Sequence, residues 1–377
     1  MTDRPKVYLT SNVFSEKEIG SNELTSDDIR KTIKDLWQEL ERVSSLKVFK
    51  GRFPTENQIS HDVEEFNPDI LGCHLSHQIS SVMLEKSKIF AVATSTAGFN
   101  HIQRPELDDI LITHTPGVLH ETVADYTIAI IMANLRNLID LHNYVWNNLW
   151  TAEDKWDLDQ SLSSVITNKV LGIVGLGEIG KELVKKLAPW GIKILYYDLK
   201  QMNDYEKNYP ILEFREKIED VFKEADIVSI HVPLNQYTEN LVSRDLLKLM
   251  KKNALLVNTA RGGILDLDTL LSMLENKEIQ INIAFDVFPV EPLDINTLER
   301  IKKIKQNQPD LRMILIPHNA SADANTRGKM DIIFLQDIIN IIKSSSFEDL
   351  NQIHIIPEHK NHLRDREWRI LDYWDRK

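Results

Sequence analysis

The chain has a single cysteine, Cys73, in 377 residues, so no internal disulfide can form and a reducing compartment suits it. Long apolar runs are missing as well. A run such as Ile128 to Ala133 falls far short of the roughly 18–20 residues that span a bilayer, and the opening MTDRPKVYLTSNVF has no signal-like apolar stretch. Basic excess is absent: 45 Lys and Arg stand against 57 Asp and Glu, a formal net charge of -12, which speaks against general nucleic-acid binding. No internal repeat or low-complexity tract is present. These absences leave a cytoplasmic protein with no membrane and no nucleic-acid partner as the expectation. With 42% hydrophobic residues the chain can bury sizeable cores, and its length suggests at least two domains.

What is there begins as strand and helix in alternation. Strands are expected at 7–10, 46–49, 69–73 and 89–93, with a helix over Ser26 to Val43 whose Ile29, Ile33, Leu36 and Leu40 share a face and which Ser26-Asp27 can cap. Thr113 to Gly117 reads as punctuation before a long helix, Glu121 to Tyr144, and marks the crossing to a second domain. Residues 151–168 read as a surface excursion. The rhythm restarts at Val170, with strands expected at 170–174, 193–197, 226–231, 254–258, 281–285 and 313–316. A last helix, Ala324 to Ile342, carries an apolar face that needs a cover, and the chain beyond Lys343 reads as a tail lying across the surface or a partner subunit. Alternating strands and helices imply parallel sheets and an α/β fold.

GIVGLGEIG, at 172–180, supplies the first chemistry. A lone G-x-G-x-x-G is weak, but here a strand enters it, a helix beginning near Glu178 leaves it, and Asp198 closes the next strand. Gly175 permits the tight turn, Gly177 lets backbone approach a pyrophosphate, and Gly180 lets helix and strand pack closely. The helix N-terminus offers its amides to the phosphates. Asp198 accepts from the ribose hydroxyls and repels a 2′-phosphate, so the expected cofactor is NAD rather than NADP.

Three further stretches end strands: NTARGG with Arg261, DVFPVEP with Asp286 and Glu291, and PHNAS with His318. Taken singly, each has a bland reading as an end-of-helix salt bridge, a solvated acid or a packed histidine. Strand C-terminal ends face the ligand crevice of an open parallel sheet, so together they suit hydride transfer to a 2-oxo acid.

In this order the motifs resemble those of the D-isomer-specific 2-hydroxyacid dehydrogenase family, from about residue 5 to about residue 342. The resemblance implies two doubly wound domains: a flavodoxin-like catalytic domain made of 1–117 and 320–343, and an inserted Rossmann domain over 118–319, with 344–377 as a tail. It implies catalytic roles for Arg261, Glu291 and His318, and a nicotinamide-side place for Asp286. His318 is expected to serve as acid and base, with Glu291 holding one tautomer and favouring the imidazolium. The loop Thr96-Ala97-Gly98 is implied to take the substrate carboxylate on backbone N–H groups, with Leu75 and Ser76 lining substrate. Further cofactor contacts are implied at Glu178, Ile179, His231, Val232, Pro233, Thr238, Thr259 and Ala260.

Among family members, His74-Leu-Ser-His77, His114 to Leu119, and Trp150 with Trp156 look most like glyoxylate and hydroxypyruvate reductases. Asn100, Gln103 and Asn319 depart from common family residues. A homodimer through the Glu121–Tyr144 helix is implied, with Trp146, Trp150 and Trp156 nearby. Some members of the family serve instead as dinucleotide-responsive interaction proteins, a use the tail could support. Cys73, His74 and His77 form C-H-x-x-H, but on a strand and loop they do not share a face and too few ligands are local, so no metal is expected. His101 is expected as a polar rim residue.

Overall fold

The computed structural model describes residues 4–153 and 157–377. The chain divides into two units, one of residues 1–119 with 322–377 and one of residues 120–321.

The first unit holds a parallel sheet of β1 (Lys6–Leu9), β2 (Ser45–Val48), β3 (Ile70–Cys73), β4 (Ala91–Thr94) and β5 (Leu111–Thr113), in the order β2-β1-β3-β4-β5. This is the flavodoxin-like doubly wound order. Alternation sends Val7 and Leu9 into one core and Tyr8 into another across the sheet. In the helix Asp27–Val43, Ile29, Ile33, Trp37 and Leu40 form one buried stripe, as the spacing requires. Ser26 sits at its N-cap position without a capping side-chain bond, and its N–H donates instead to Asn325 Oδ1 at 2.8 Å.

β5 is not among the strands expected from the sequence, whose punctuation reading meets it only at Thr113. It is a buried strand, and residues 354–356 explain how its edge is closed. Ile355 bridges Thr113 antiparallel, His114 N–H donates to His354 O at 2.9 Å, and Ile356 N–H donates to Ile112 O at 3.0 Å. The chain after Lys343 is thus not a surface tail: Leu350, Ile353, Ile355, Trp368 and Ile370 are buried in the core beside the helix Ala324–Lys343.

The second unit holds a parallel sheet of β6 (Val170–Val174), β7 (Lys193–Tyr197), β8 (Leu212–Phe214), β9 (Ile227–Ile230), β10 (Leu255–Asn258), β11 (Asn282–Phe285) and β12 (Met313–Leu315). Its order is β12-β11-β10-β9-β6-β7-β8, with the reversal of direction between β6 and β9. That is the Rossmann arrangement extended by one strand. β8 has no counterpart in the sequence reading; its Glu213 and Phe214 are only partly covered at the sheet edge.

The expected Glu121–Tyr144 helix is two helices, His120–Leu135 and Leu138–Trp146. Asn137 breaks it at φ 52, a left-handed conformation that asparagine tolerates. Arg312 fixes the break, because its Nη1 donates to the carbonyls of Asn134 at 3.2 Å and Leu135 at 2.8 Å. Those carbonyls lie at a helix end, where Asn137 N–H also donates to Asn134 O at 3.1 Å and Ser164 N–H to Leu135 O at 3.4 Å. Among the described residues, no helix is long and apolar enough to cross a membrane.

Candidate active site

In the second unit the catalytic and cofactor residues expected from the sequence follow strand C-termini. After β6, Gly175 has φ +97, and a Cβ there would sit 2.8 Å from the His231 carbonyl oxygen. A Cβ on Gly180 would sit 2.5 Å from the Gly175 carbonyl oxygen, whereas one on Gly177 would meet nothing within 4 Å. The turn is thus closed on its sheet side and open on the other, the shape that lets a pyrophosphate approach backbone. The helix Glu178–Leu187 starts here, and the amides of Glu178, Ile179 and Gly180 belong to its unpaired first turn.

Asp198 stands one residue past β7. Its Oδ2 accepts from Leu176 N–H and its Oδ1 from Leu199 N–H, both at 2.7 Å, so the acid also ties the glycine turn to the neighbouring strand. After β9, burial pushes His231 down to about 3, which keeps the ring neutral, and its Nε2 lies 2.8 Å from Ser229 Oγ. In the loop through Val232 and Pro233, the Thr238 hydroxyl donates to Pro233 O and accepts from Asn235 N–H. These features fit a dinucleotide on the sequence's own terms: an open glycine turn, free helix amides and an acid at the next strand.

β10 delivers Thr259, Ala260 and Arg261. Thr259 Oγ1 is 3.0 Å from Thr127 Oγ1, and Ala260 N–H donates to Asn258 Oδ1 at 3.0 Å. Arg261 is fixed from both sides: Asn258 Nδ2 donates to its carbonyl at 2.9 Å, and its own Nη1 donates to Ala260 O at 2.7 Å. Burial lowers the Arg261 pKa and Glu291 opposes this, but a guanidinium has no accessible neutral form and remains a cation.

Glu291 and His318 meet. His318 Nδ1 lies 2.7 Å from Glu291 Oε2, while Glu291 Oε1 accepts from Phe288 N–H at 2.9 Å. Burial works against the Glu291 charge, but the bonds from His318 and Phe288, with Arg261 nearby, hold its carboxyl below the usual range. A carboxylate partner makes Nδ1 the donor, so proton exchange is left to Nε2.

Asp286 has a task that the sequence reading does not give it. It is fully buried, and its Oδ1 accepts from Asn319 N–H at 2.7 Å and its Oδ2 from Ala320 N–H at 2.8 Å. His318 N–H donates to the Asp286 carbonyl at 2.7 Å, and His318 itself stands at φ 50. Asp286 therefore clamps the loop that carries the histidine, and Asn319 enters this clamp through its backbone. The sequence signal is there to be found: an acid directly after a buried strand, with the histidine three residues past the neighbouring one.

The first unit carries the other named residues. Thr96, Ala97 and Gly98 follow β4, where the Thr96 hydroxyl donates to Gly98 O and lies 3.1 Å from Thr94 Oγ1. Leu75 is half-buried in the turn after β3, and Ser76 is exposed. His101 is not a rim residue: it is buried, with Nε2 3.0 Å from Thr94 Oγ1 and 3.8 Å from Cys73 Sγ. His77 is buried too, held by Thr10 Oγ1 at 2.6 Å and Arg52 O at 2.8 Å. Trp150 is exposed, and Trp156 lies outside the described residues.

A family profile described as "D-isomer specific 2-hydroxyacid dehydrogenase, NAD binding domain" matches residues 128–320. The chain is 31% identical over 344 residues to a glyoxylate reductase of Thermofilum pendens, covering 90% of this chain and 92% of that protein. This chain belongs to the D-isomer specific 2-hydroxyacid dehydrogenase family. A glyoxylate reductase of Aeropyrum pernix is 32% identical over 341 residues, with 89% and 92% covered. Among solved structures, the TT0316 protein of Thermus thermophilus matches at 26% identity with a TM-score of 0.72, covering 90% of this chain and 97% of that one. A D-lactate dehydrogenase of Aquifex aeolicus, complexed with NAD and lactic acid, shares the fold at 20% identity and a TM-score of 0.69, over 93% and 98% of the two chains. The second unit is accordingly an NAD-binding domain, and the protein is an NAD-dependent oxidoreductase acting between 2-oxo and 2-hydroxy acids.

Proposed function

We propose that this dehydrogenase reduces small 2-oxo acids of the glyoxylate and hydroxypyruvate type, with Arg261, Glu291 and His318 as its catalytic residues. The His318–Glu291 pair carries the reading: a ring nitrogen held at 2.7 Å by a carboxylate leaves Nε2 to exchange a proton. NADH, when bound, supplies the hydride. Arg261 presents its planar cation to the substrate carboxylate and carbonyl oxygen. His318 Nε2–H passes its proton to the carbonyl oxygen as negative charge develops there, and Glu291 steadies the ring throughout. In the oxidative direction neutral Nε2 takes the hydroxyl proton. The amides of Ala97 and Gly98 are the receptor for the carboxylate, and Leu75 lines its neighbourhood.

The small-acid choice is supported by the relatives named glyoxylate reductase and by the motifs at His74–His77 and His114–Leu119. Asp198 supports NADH over NADPH. A homodimer in the cytoplasm completes the proposal, seated on the exposed apolar side chains of Leu138, Ile139, Val145, Trp146, Leu149 and Trp150. The intact catalytic set disfavours a purely interaction-based role.

The test is NADH oxidation by purified protein with glyoxylate, hydroxypyruvate, pyruvate and phenylpyruvate, repeated with NADPH, alongside its mass by light scattering. Preferred turnover of the two small acids with NADH by a dimer is expected. Preference for phenylpyruvate overturns the small-acid reading, preference for NADPH overturns the role of Asp198, and a monomeric mass overturns the dimer.

A further inference from the structure

We propose that the C-terminal segment positions the carboxylate-binding loop: His354, anchored on Asp337, fixes His114, and His114 with Thr115 aims the amides of Ala97 and Gly98. The inference rests on the proposed role of that loop. It begins with two carbonyls. Thr115 N–H donates to Thr96 O at 2.9 Å, and His114 Nδ1 lies 2.8 Å from Ala97 O. A carbonyl only accepts, so Nδ1 carries the proton; burial lowers the pKa of His114 and keeps its ring neutral. Because a trans peptide is planar, holding Thr96 O fixes where the Ala97 N–H points, and holding Ala97 O fixes the Gly98 N–H. The two clamped oxygens therefore set the direction of the two amides assigned to the carboxylate. The Phe99 ring, edge-on to the His114 ring at 5.7 Å between centroids, limits how far that ring can turn.

His114 is in turn held from the C-terminal segment. Its N–H donates to His354 O at 2.9 Å, the first link of the short antiparallel pairing along β5. His354 is pinned twice by one buried carboxylate: Nδ1 lies 3.1 Å from Asp337 Oδ1, and its N–H donates to Asp337 Oδ2 at 3.2 Å. Asp337 belongs to the helix Ala324–Lys343. The continuous path is thus helix, Asp337, His354, His114, Ala97. A segment that only covered apolar surface would need none of these polar links to the loop. His114 and His354 are positioning residues, since neither is assigned a contact with substrate.

The experiment compares H114L, H114N and the double variant D337N/H354A, which removes the buried charge together with its partner. Asparagine can present an N–H close to where Nδ1 stands, and leucine cannot. Hydrogen exchange of the 95–99 peptide reads the loop without reference to activity. Exchange about ten-fold faster in H114L, near wild type in H114N, and about three-fold faster in the double variant is expected. Glyoxylate KM should rise about ten-fold in H114L, with kcat and NADH affinity within about two-fold of wild type. Unchanged exchange at 95–99 in H114L overturns the clamp, and unchanged exchange in the double variant overturns the C-terminal link. Faster exchange with an unchanged glyoxylate KM instead sinks the carboxylate role of the loop, so the two failures are told apart.

Discussion

Replacing Asp286 by asparagine separates two roles for one carboxylate. The resemblance implies a nicotinamide-side contact, whereas the geometry makes Asp286 the clamp of the His318 loop, with N–H donors from Asn319 at 2.7 Å and Ala320 at 2.8 Å on its two oxygens. Asparagine keeps one acceptor and turns an NH2 toward the other donor. A hydrogen bond to a charged group contributes about 1.5–3 kcal/mol, and the orphaned N–H adds a desolvation cost of about 1–3 kcal/mol. Burial, the largest influence on Asp286, raises its pKa, so removing the charge recovers part of that. A net loss of about 2 kcal/mol is therefore expected, a fall of about 1 M in the urea midpoint at an m-value of about 2 kcal/mol/M. Catalysis should suffer more. A shift of about 1 Å at His318 is worth about a hundred-fold in kcat. NADH affinity, by fluorescence titration, should stay within about three-fold, under about 1 kcal/mol. Weakened NADH binding with saturated kcat intact would refute the clamp and restore the cofactor role.

Other perturbations reach the remaining parts of the site and fold. H318N should lower kcat by about 10²–10⁴ while NADH binding holds, measured by steady-state kinetics and titration; wild-type turnover removes His318 from the chemistry. D198S should narrow the preference for NADH over NADPH by at least about ten-fold, because the charge facing a 2′-phosphate is gone. No change in that ratio would leave Asp198 only its backbone ties to Leu176 and Leu199. The first unit should loosen in acid. Burial opposes the charge of Asp108, but Arg366 and His359 hold its carboxyl below the usual range. Its folded pKa then lies under the unfolded value of about 3.9, so its stabilisation is complete above about pH 4 and fades as pH falls through the lower folded value. Limited proteolysis should cut first near 354–370 once the pH falls through that lower folded value, and D108N should be cut there already at neutral pH.

The sequence is most readable where a function requires a special backbone. The glycine turn and Asp198 follow local rules, since each residue type is tied to a turn or to a charge at a known point of a βα unit, whereas Arg261, Glu291 and His318 stand out only through the order of their motifs and the family that order resembles. Asp286 is legible by its position and not by its partners, because those partners are amides contributed by another strand end, and an amide leaves no mark in a residue code. The break at Asn137 is hidden for a similar reason: it depends on Arg312, far along the chain, reaching the carbonyls of Asn134 and Leu135. The segment after Lys343 is the least legible. Leu350, Ile353, Ile355, Leu363, Trp368 and Ile370 are all buried, yet their spacing follows neither a period of two nor one of 3.6. β5, the helix Ala324–Lys343 and other parts of the same core give them a surface to cover, and Arg369, through Asp109 at 2.8 Å and the carbonyls of Leu84, Ser87 and Ile89, fixes the far end. A periodic pattern reports a regular element packed along one face. A segment folded across several elements is specified by its individual contacts, and so its burial becomes visible only once those elements are in place.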